Sequence, residues 1–157
     1  MQKITPYLWF EDQAEEAASF YTSIFKNSKI NEISRYGEGG PGPAGSVMLV
    51  SFELDGQQFI ALNGGPQFQF TEAISFVINC ESQEEVDYMW DRLTEGGEES
   101  MCGWLKDRYG ISWQVVPTAL PELLSAPDPE AQQRVMEVFL KMSKIDLPTL
   151  RLAYEGR

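Results

Sequence analysis

The sequence predicts an α+β fold: two tandem βαβββ modules forming a curved, mostly antiparallel sheet around a cleft, followed by C-terminal helices. Three observations carry this. First, "DGQQFIALNGG" (55–65) and "RYGISWQVVP" (108–117) follow one pattern. Each has a glycine, two residues, an aromatic (Phe59 or Trp113), one residue, then two small or branched apolar ones. Second, an apolar strand and an amphipathic helix with a capping-box start precede each of these segments in the same order. Third, residues 118–157 abandon that pattern for helical spacing broken by Pro127-Asp128-Pro129.

In module one, residues 1–66, "ITPYLWF" (4–10) is a short apolar run and is expected to form a strand. Asp12 is the expected N-cap, with Glu15 three positions on. Ala14, Ala17, Ala18, Tyr21, Ile24 and Phe25 then recur at helical spacing. "KINEISRY" (29–36) alternates as a strand, and "GEGGPGPAGS" (37–46) is a Gly/Pro loop. "VMLVSFEL" and "QQFIALN" flank Asp55-Gly56, a strong hairpin signal.

Module two, residues 72–117, repeats the order. "ISFVINC" (74–80) is a strand, Ser82 and Glu85 form a second capping box, and Val86, Met89, Trp90 and Leu93 make a helical stripe. That helix ends near Gly96-Gly97. Short strands around Cys102–Lys106 and Ile111–Val116 complete the unit, with Lys106, Asp107 and Arg108 expected at an exposed turn. The second copy is shorter, mostly where the first has its Gly/Pro loop. In the C-terminal extension (118–157), Asp128 caps a helix with Val135, Phe139 and Met142 on one face, and a last helix runs from Asp146 towards Tyr154. Such an apolar face must cover either its own sheet or a second subunit.

Composition narrows the function. Twelve basic against 24 acidic residues give a net charge of -12, which repels phosphate backbones and anionic lipid. Neither nucleic acid nor membrane is expected as a partner. Cys80 and Cys102 are too few for a disulfide framework or a multi-cysteine metal site. No basic-then-apolar leader opens the sequence and no long apolar run occurs, so a cytoplasmic location is expected. The sequence has no histidine, the usual neutral-pH proton shuttle and commonest transition-metal ligand.

"LNGGP" (62–66), "EAISFVINCESQEEVDYMWDRL" (72–93), "CGWLKDRYGISWQVVP" (102–117) and "KIDLPTL" (144–150) resemble the PhnB-like branch of the vicinal oxygen chelate superfamily. That superfamily includes glyoxalase I, extradiol dioxygenases and bleomycin-resistance proteins; the branch often carries the label 3-demethylubiquinone-9 3-methyltransferase-like. The resemblance implies a homodimer with a ligand cleft between the modules. In metal-using members it implies His and Glu ligands on the first and last strands of each module, which hold an ion that binds two substrate oxygens. Carried over, the last-strand positions are Gln114 and Ile60, and the first-strand positions fall near Thr5 and near Ala73 or Ser75. None is a carboxylate or an imidazole, so no metal and no cofactor is expected.

If Gln114 faces the cleft, alternation turns Ser112 inward with it and sends Trp113 and Val115 under a helix. The matching module-one residues are Gln58, Ile60 and Leu62, with Thr5, Tyr7 and Trp9 on the first strand and Ser75 on its counterpart. These nine are the candidate ligand-binding residues; no catalytic residue is assigned. An aromatic, apolar wall with few neutral polar groups suits a small, largely uncharged organic molecule. The alternatives are a metal-dependent lyase, isomerase or dioxygenase using Glu53, Glu72 or Cys102, a methyltransferase, and a partner protein with a vestigial cleft. Methyl transfer finds little support, because neither Gly37–Gly45 nor Gly64-Gly65 opens a helix after a parallel strand.

Overall fold

The structure, a computed structural model, describes residues 2–157 and divides into two units, one running to Phe70 and the other from Thr71 to Arg157. In the first, β1 (Tyr7–Phe10) leads into α1 (Ala14–Ile24), followed by β2 (Lys29–Arg35), β3 (Val47–Leu54) and β4 (Gln57–Asn63). The sheet order is β1-β4-β3-β2, with β1 parallel to β4 and the remaining pairs antiparallel. Asp55 and Gly56 take φ of 49° and 81°, so the two-residue hairpin forms where the dipeptide demands it.

The second unit repeats this topology strand for strand. β5 (Ser75–Cys80), α2 (Gln83–Thr94), β6 (Glu98–Glu99), β7 (Trp104–Lys106) and β8 (Ser112–Pro117) give the order β5-β8-β7-β6, again with the first and last strands parallel. The two-residue β6 has no apolar pattern to announce it. It pairs with β7, and Glu99 Oε1 accepts the buried Trp90 indole N–H at 2.6 Å.

One face of each sheet is packed under its helix. Val50, Phe52, Phe59 and Ala61 lie beneath Ala14, Ala17, Ala18 and Tyr21, all buried. The three alanines let α1 sit close to the sheet, and the Tyr21, Phe52 and Phe59 rings stack in series with centroids 6.3 and 5.5 Å apart. In the second unit Leu105, Trp113 and Val115 take the equivalent places against Val86, Met89, Trp90 and Leu93.

Several details differ from expectation. The strand expected over Ile4–Phe10 starts only at Tyr7, and Ile4 is 80% exposed. Asp12 does not cap α1. Gln13 is the cap residue and its side chain makes no capping bond; the Ala14 amide instead donates to Asn63 Oδ1, at the end of β4, at 2.8 Å. Asp107 is not exposed: it is 3% accessible, and its carboxylate accepts the Tyr109 and Ile111 amides and the Trp113 indole.

The extension forms α3 (Leu120–Leu124), α4 (Pro129–Phe139) and α5 (Leu147–Glu155), with Asp128 as the cap expected and Asp146 capping the last helix. Its apolar face closes on its own unit. Leu120, Val135, Ile145, Leu150 and Ala153 form one core, against which Val116 of β8 packs. Residues 142–147 are strapped down. The Cys102 and Gly103 amides donate to the Met142 and Ser143 carbonyls, each at 2.8 Å. Gln83 donates to the Ile145 carbonyl and accepts the Leu147 amide. Gly103 (φ 86°) is required there, since a Cβ would sit 2.8 Å from Ile145 Cδ1 and 2.9 Å from the Val115 carbonyl.

Candidate functional site

Each sheet has a second face, turned away from α1 or α2; in the second unit the C-terminal helices reach this face at Val116. In the first unit the β1–β4 and β3–β4 registers bring Tyr7 beside Ile60, Trp9 beside Leu62 and Leu49 beside Leu62. Alternation places all of these opposite the core residues Phe59 and Ala61. Where β1 and β4 end, a cavity of about 760 Å³ opens. Trp9, Leu49 and Leu62 form part of its wall, the Gly/Pro loop contributes Pro41–Pro43, and Tyr36 lies beside that loop.

The aromatic walls are fixed in place. Trp9 Nε1 donates to the Gly65 carbonyl at 2.9 Å, and Phe68 meets the Trp9 ring edge-on at 4.9 Å. A Cβ on Gly64 would come within 2.4 Å of the indole, so only glycine allows that approach. The Tyr36 hydroxyl donates to the Asn63 carbonyl at 2.6 Å, and Gly42 lies as closely against the Tyr36 ring. Glu11, Asp12 and Glu15 also contribute to the lining, all exposed.

Of the module-one candidates, Trp9 and Leu62 line this cavity; Thr5, Tyr7, Gln58 and Ile60 lie outside it. Tyr7 is 59% exposed. Gln58 is committed elsewhere, donating to Glu53 Oε2 and accepting from Asn31, while Glu53 also pairs with Lys29 at 3.6 Å. Tyr36 was not singled out from the sequence, and Asn63 only as the first residue of the Asn63–Pro66 segment, read as a possible cover of the cleft mouth or a turn between modules. Asn63 left one signal, being a polar residue in step with buried Phe59 and Ala61.

In the second unit the face turned away from α2 is more polar. Ser112 pairs with Ser75 on one side and Lys106 on the other, and Gln114 likewise sits between Val77 and Trp104. The register settles which first-strand residue matches Thr5: it is Ser75. Gln114 Nε2 donates to Ser75 Oγ at 2.9 Å. Lys106 is ion-paired with Glu72, whose hydrogen bond and charge hold the Glu72 carboxyl below its ordinary range and raise the lysine amine. Ser112 is 1% exposed, and its Oγ has no hydrogen-bond partner among the described residues.

The positions where the resemblance would place a metal are thus Thr5, Ile60, Ser75 and Gln114: two hydroxyls, a hydrocarbon and an amide bonded to one of those hydroxyls. This donor set does not fit a catalytic divalent ion, which takes carboxylate, imidazole or thiolate. The other carboxylates and thiol considered are engaged: Glu53 with Lys29 and Gln58, Glu72 with Lys106, and Cys102 with the Phe139 carbonyl at 3.6 Å. Nor do the glycines fit a nucleotide-type methyl donor. The segment 37–46 joins antiparallel β2 to β3, and Gly64-Gly65 follow β4 without opening a helix.

The model of the 3-demethylubiquinone-9 3-methyltransferase family matches residues 2–116. The chain belongs to this family. A PhnB protein from Bacillus cereus is 43% identical over 74% of this chain and 100% of its own, with a TM-score of 0.69. A Pseudomonas aeruginosa protein shares 23% identity, covering 74% of this chain and 98% of its own, at a TM-score of 0.62. A fosfomycin resistance protein from Listeria monocytogenes has 17% identity, covers 79% of this chain and 97% of its own, and gives a TM-score of 0.58. The last two likenesses show a shared fold. None of the curated proteins matches. The family match stops before α3, so the three C-terminal helices lie beyond it. Among the described residues no helix is long and apolar enough to cross a membrane.

Proposed function

We propose that this PhnB-like chain binds a small, largely uncharged organic molecule on the face of its first sheet turned away from α1, without a catalytic metal and without methyl transfer. The observation that carries this is the cavity walled by Trp9, Leu49 and Leu62. Its aromatic is pinned before any ligand arrives, which lowers the ordering cost of binding. Largely apolar walls are the usual make-up of small-molecule sites, and the carboxylates of Glu11, Asp12 and Glu15 in the lining disfavour an anionic ligand. The donor set at Ile60 and Gln114 supports binding without metal, and the net charge of -12 argues against nucleic acid and anionic lipid as partners.

The test is titration with N-phenyl-1-naphthylamine, an uncharged fluorescent probe. Saturable binding at one equivalent is expected, unchanged by EDTA and weakened about tenfold or more by Leu62→Trp, which fills the cavity. Loss of binding on adding EDTA, or full binding by Leu62→Trp, would refute the proposal.

A further inference from the structure

The segment 37–44 lies between β2 and β3 and brings Pro41–Pro43 to the cavity wall. Its base is closed like a hairpin: the Tyr36 amide donates to the Ser46 carbonyl at 2.9 Å and the Gly45 amide to the Tyr36 carbonyl at 2.8 Å. Beyond that base its bonds stay inside. The Gly40 amide donates to the Gly37 carbonyl, and Ser46 donates to the Pro43 carbonyl through both its amide and its hydroxyl. Among the described residues, no hydrogen bond or ion pair joins 37–44 to any residue outside 36–46. Pro41 and Pro43 have no N–H to satisfy, so the tip is stiff and gives up no donor when it leaves the wall. Gly37 and Gly39 have open space where a Cβ would be, which supplies a pivot for that tip.

One side chain holds the segment down. A Cβ on Gly42 would come within 2.5 Å of Tyr36 Cε2, and one on Gly40 would lie 3.5 Å from Cδ1, so the tip wraps the ring. The Tyr36 hydroxyl donates to the Asn63 carbonyl at 2.6 Å, and Asn63 is itself fixed by its bonds to Ala14 and Val47. The ring thus clasps the tip on one side and is anchored to β4 on the other. A segment held through one side chain costs little to open, and covers of binding sites are drawn from such weakly held parts.

We propose that residues 37–44 are a flap over the cavity of the first unit, which swings aside to admit the ligand, and that Tyr36 is its latch. The flap rests on the binding function proposed above.

The experiment is stopped-flow fluorescence of N-phenyl-1-naphthylamine with the full-length protein, association being measured on mixing and dissociation on dilution. Tyr36→Phe keeps the ring and removes the latch bond. Both rate constants are expected to rise about fivefold, the scale of one hydrogen bond, with Kd changed by less than about twofold, since the latch closes over the free and the occupied cavity alike. A rise in dissociation alone would make Tyr36 an ordinary wall contact and overturn the flap, as would unchanged rates. A second variant deletes residues 38–44 and joins Gly37 to Gly45 as a two-residue turn on the base formed by Tyr36 and Ser46. Its association should be about tenfold faster or more, because no closed state has to open first. An unchanged association rate constant there would overturn the flap even if Tyr36→Phe does not fold. Altered dissociation with unaltered association would leave the binding function intact without its flap. Failure of the wild-type protein to bind the probe would remove both.

Discussion

Asp107 accepts the indole N–H of Trp113 at 2.9 Å, with both side chains buried. Leu54 and Phe59 hold the corresponding positions in the first unit, and both are buried too. The two hairpins solve one packing problem with different chemistry. A phenyl ring has no N–H, so leucine suffices beside it; an indole brings a donor that must be answered inside the core. Asp107 serves the turn as well, taking the Tyr109 and Ile111 amides, while Gly110 at φ 91° closes the longer loop.

Replacing Asp107 by alanine removes the acceptor of three donors, two of them buried, and is expected to cost about 3 kcal/mol. Asp107→Leu alone should cost a similar amount. The double variant Asp107→Leu/Trp113→Phe recreates the Leu54–Phe59 arrangement and should recover part of the loss, the two backbone amides remaining unanswered. Urea unfolding of the wild type, Asp107→Leu, Trp113→Phe and the double variant measures this as a double-mutant cycle. Strict additivity would show that the two residues do not act together.

Asn63 does for α1 what a cap residue normally does from within the helix start. Its Oδ1 accepts the Ala14 amide at 2.8 Å and its Nδ2 donates to the Val47 carbonyl at 3.1 Å. Asn63→Ala should destabilise by about 1–2 kcal/mol, the value of a lost N-cap. Asn63→Asp keeps the acceptor and adds a charge favourable at a helix start, but sets a carboxylate oxygen against the Val47 carbonyl, so it should recover only part of that cost. The two denaturant midpoints decide the order.

Burial, with a lesser contribution from Glu85, pushes the Cys80 thiol from its ordinary 9.0 up to about 12. The folded state therefore holds this proton more tightly than the unfolded chain does. Its stabilising effect is complete below about pH 9 and is lost as pH rises towards 12. Iodoacetamide at pH 8.5 should leave Cys80 unmodified, by mass spectrometry, until denaturant is added. Between pH 9 and 12 the urea midpoint should fall more steeply for the wild-type protein than for Cys80→Ala.

The local elements were legible because their signals are local. Asp55-Gly56 dictates its turn, and Ser82 accepts the Glu85 amide at 3.1 Å as the capping box requires. Alternation was enough to put Trp9 with Leu62, and Ser112 with Gln114, on faces turned away from the helices. Contacts between distant residues were not legible. The partner of the Ala14 amide comes from β4, and the burial of Asp107 depends on an indole six positions away. Tyr36 escaped notice because it follows the last residue of β2, where strand periodicity no longer says which way a side chain points.

The strap from Met142 to Leu147 bears on where this protein can be cut. A domain boundary drawn where the family match ends, at residue 116, would sever β8 one residue before its end at Pro117. It would also take away the lid over Val116 and Gly103, and the partner of Gln83, uncovering a greasy shoulder on the second unit. A fragment trimmed to the homologous part should therefore clump in solution.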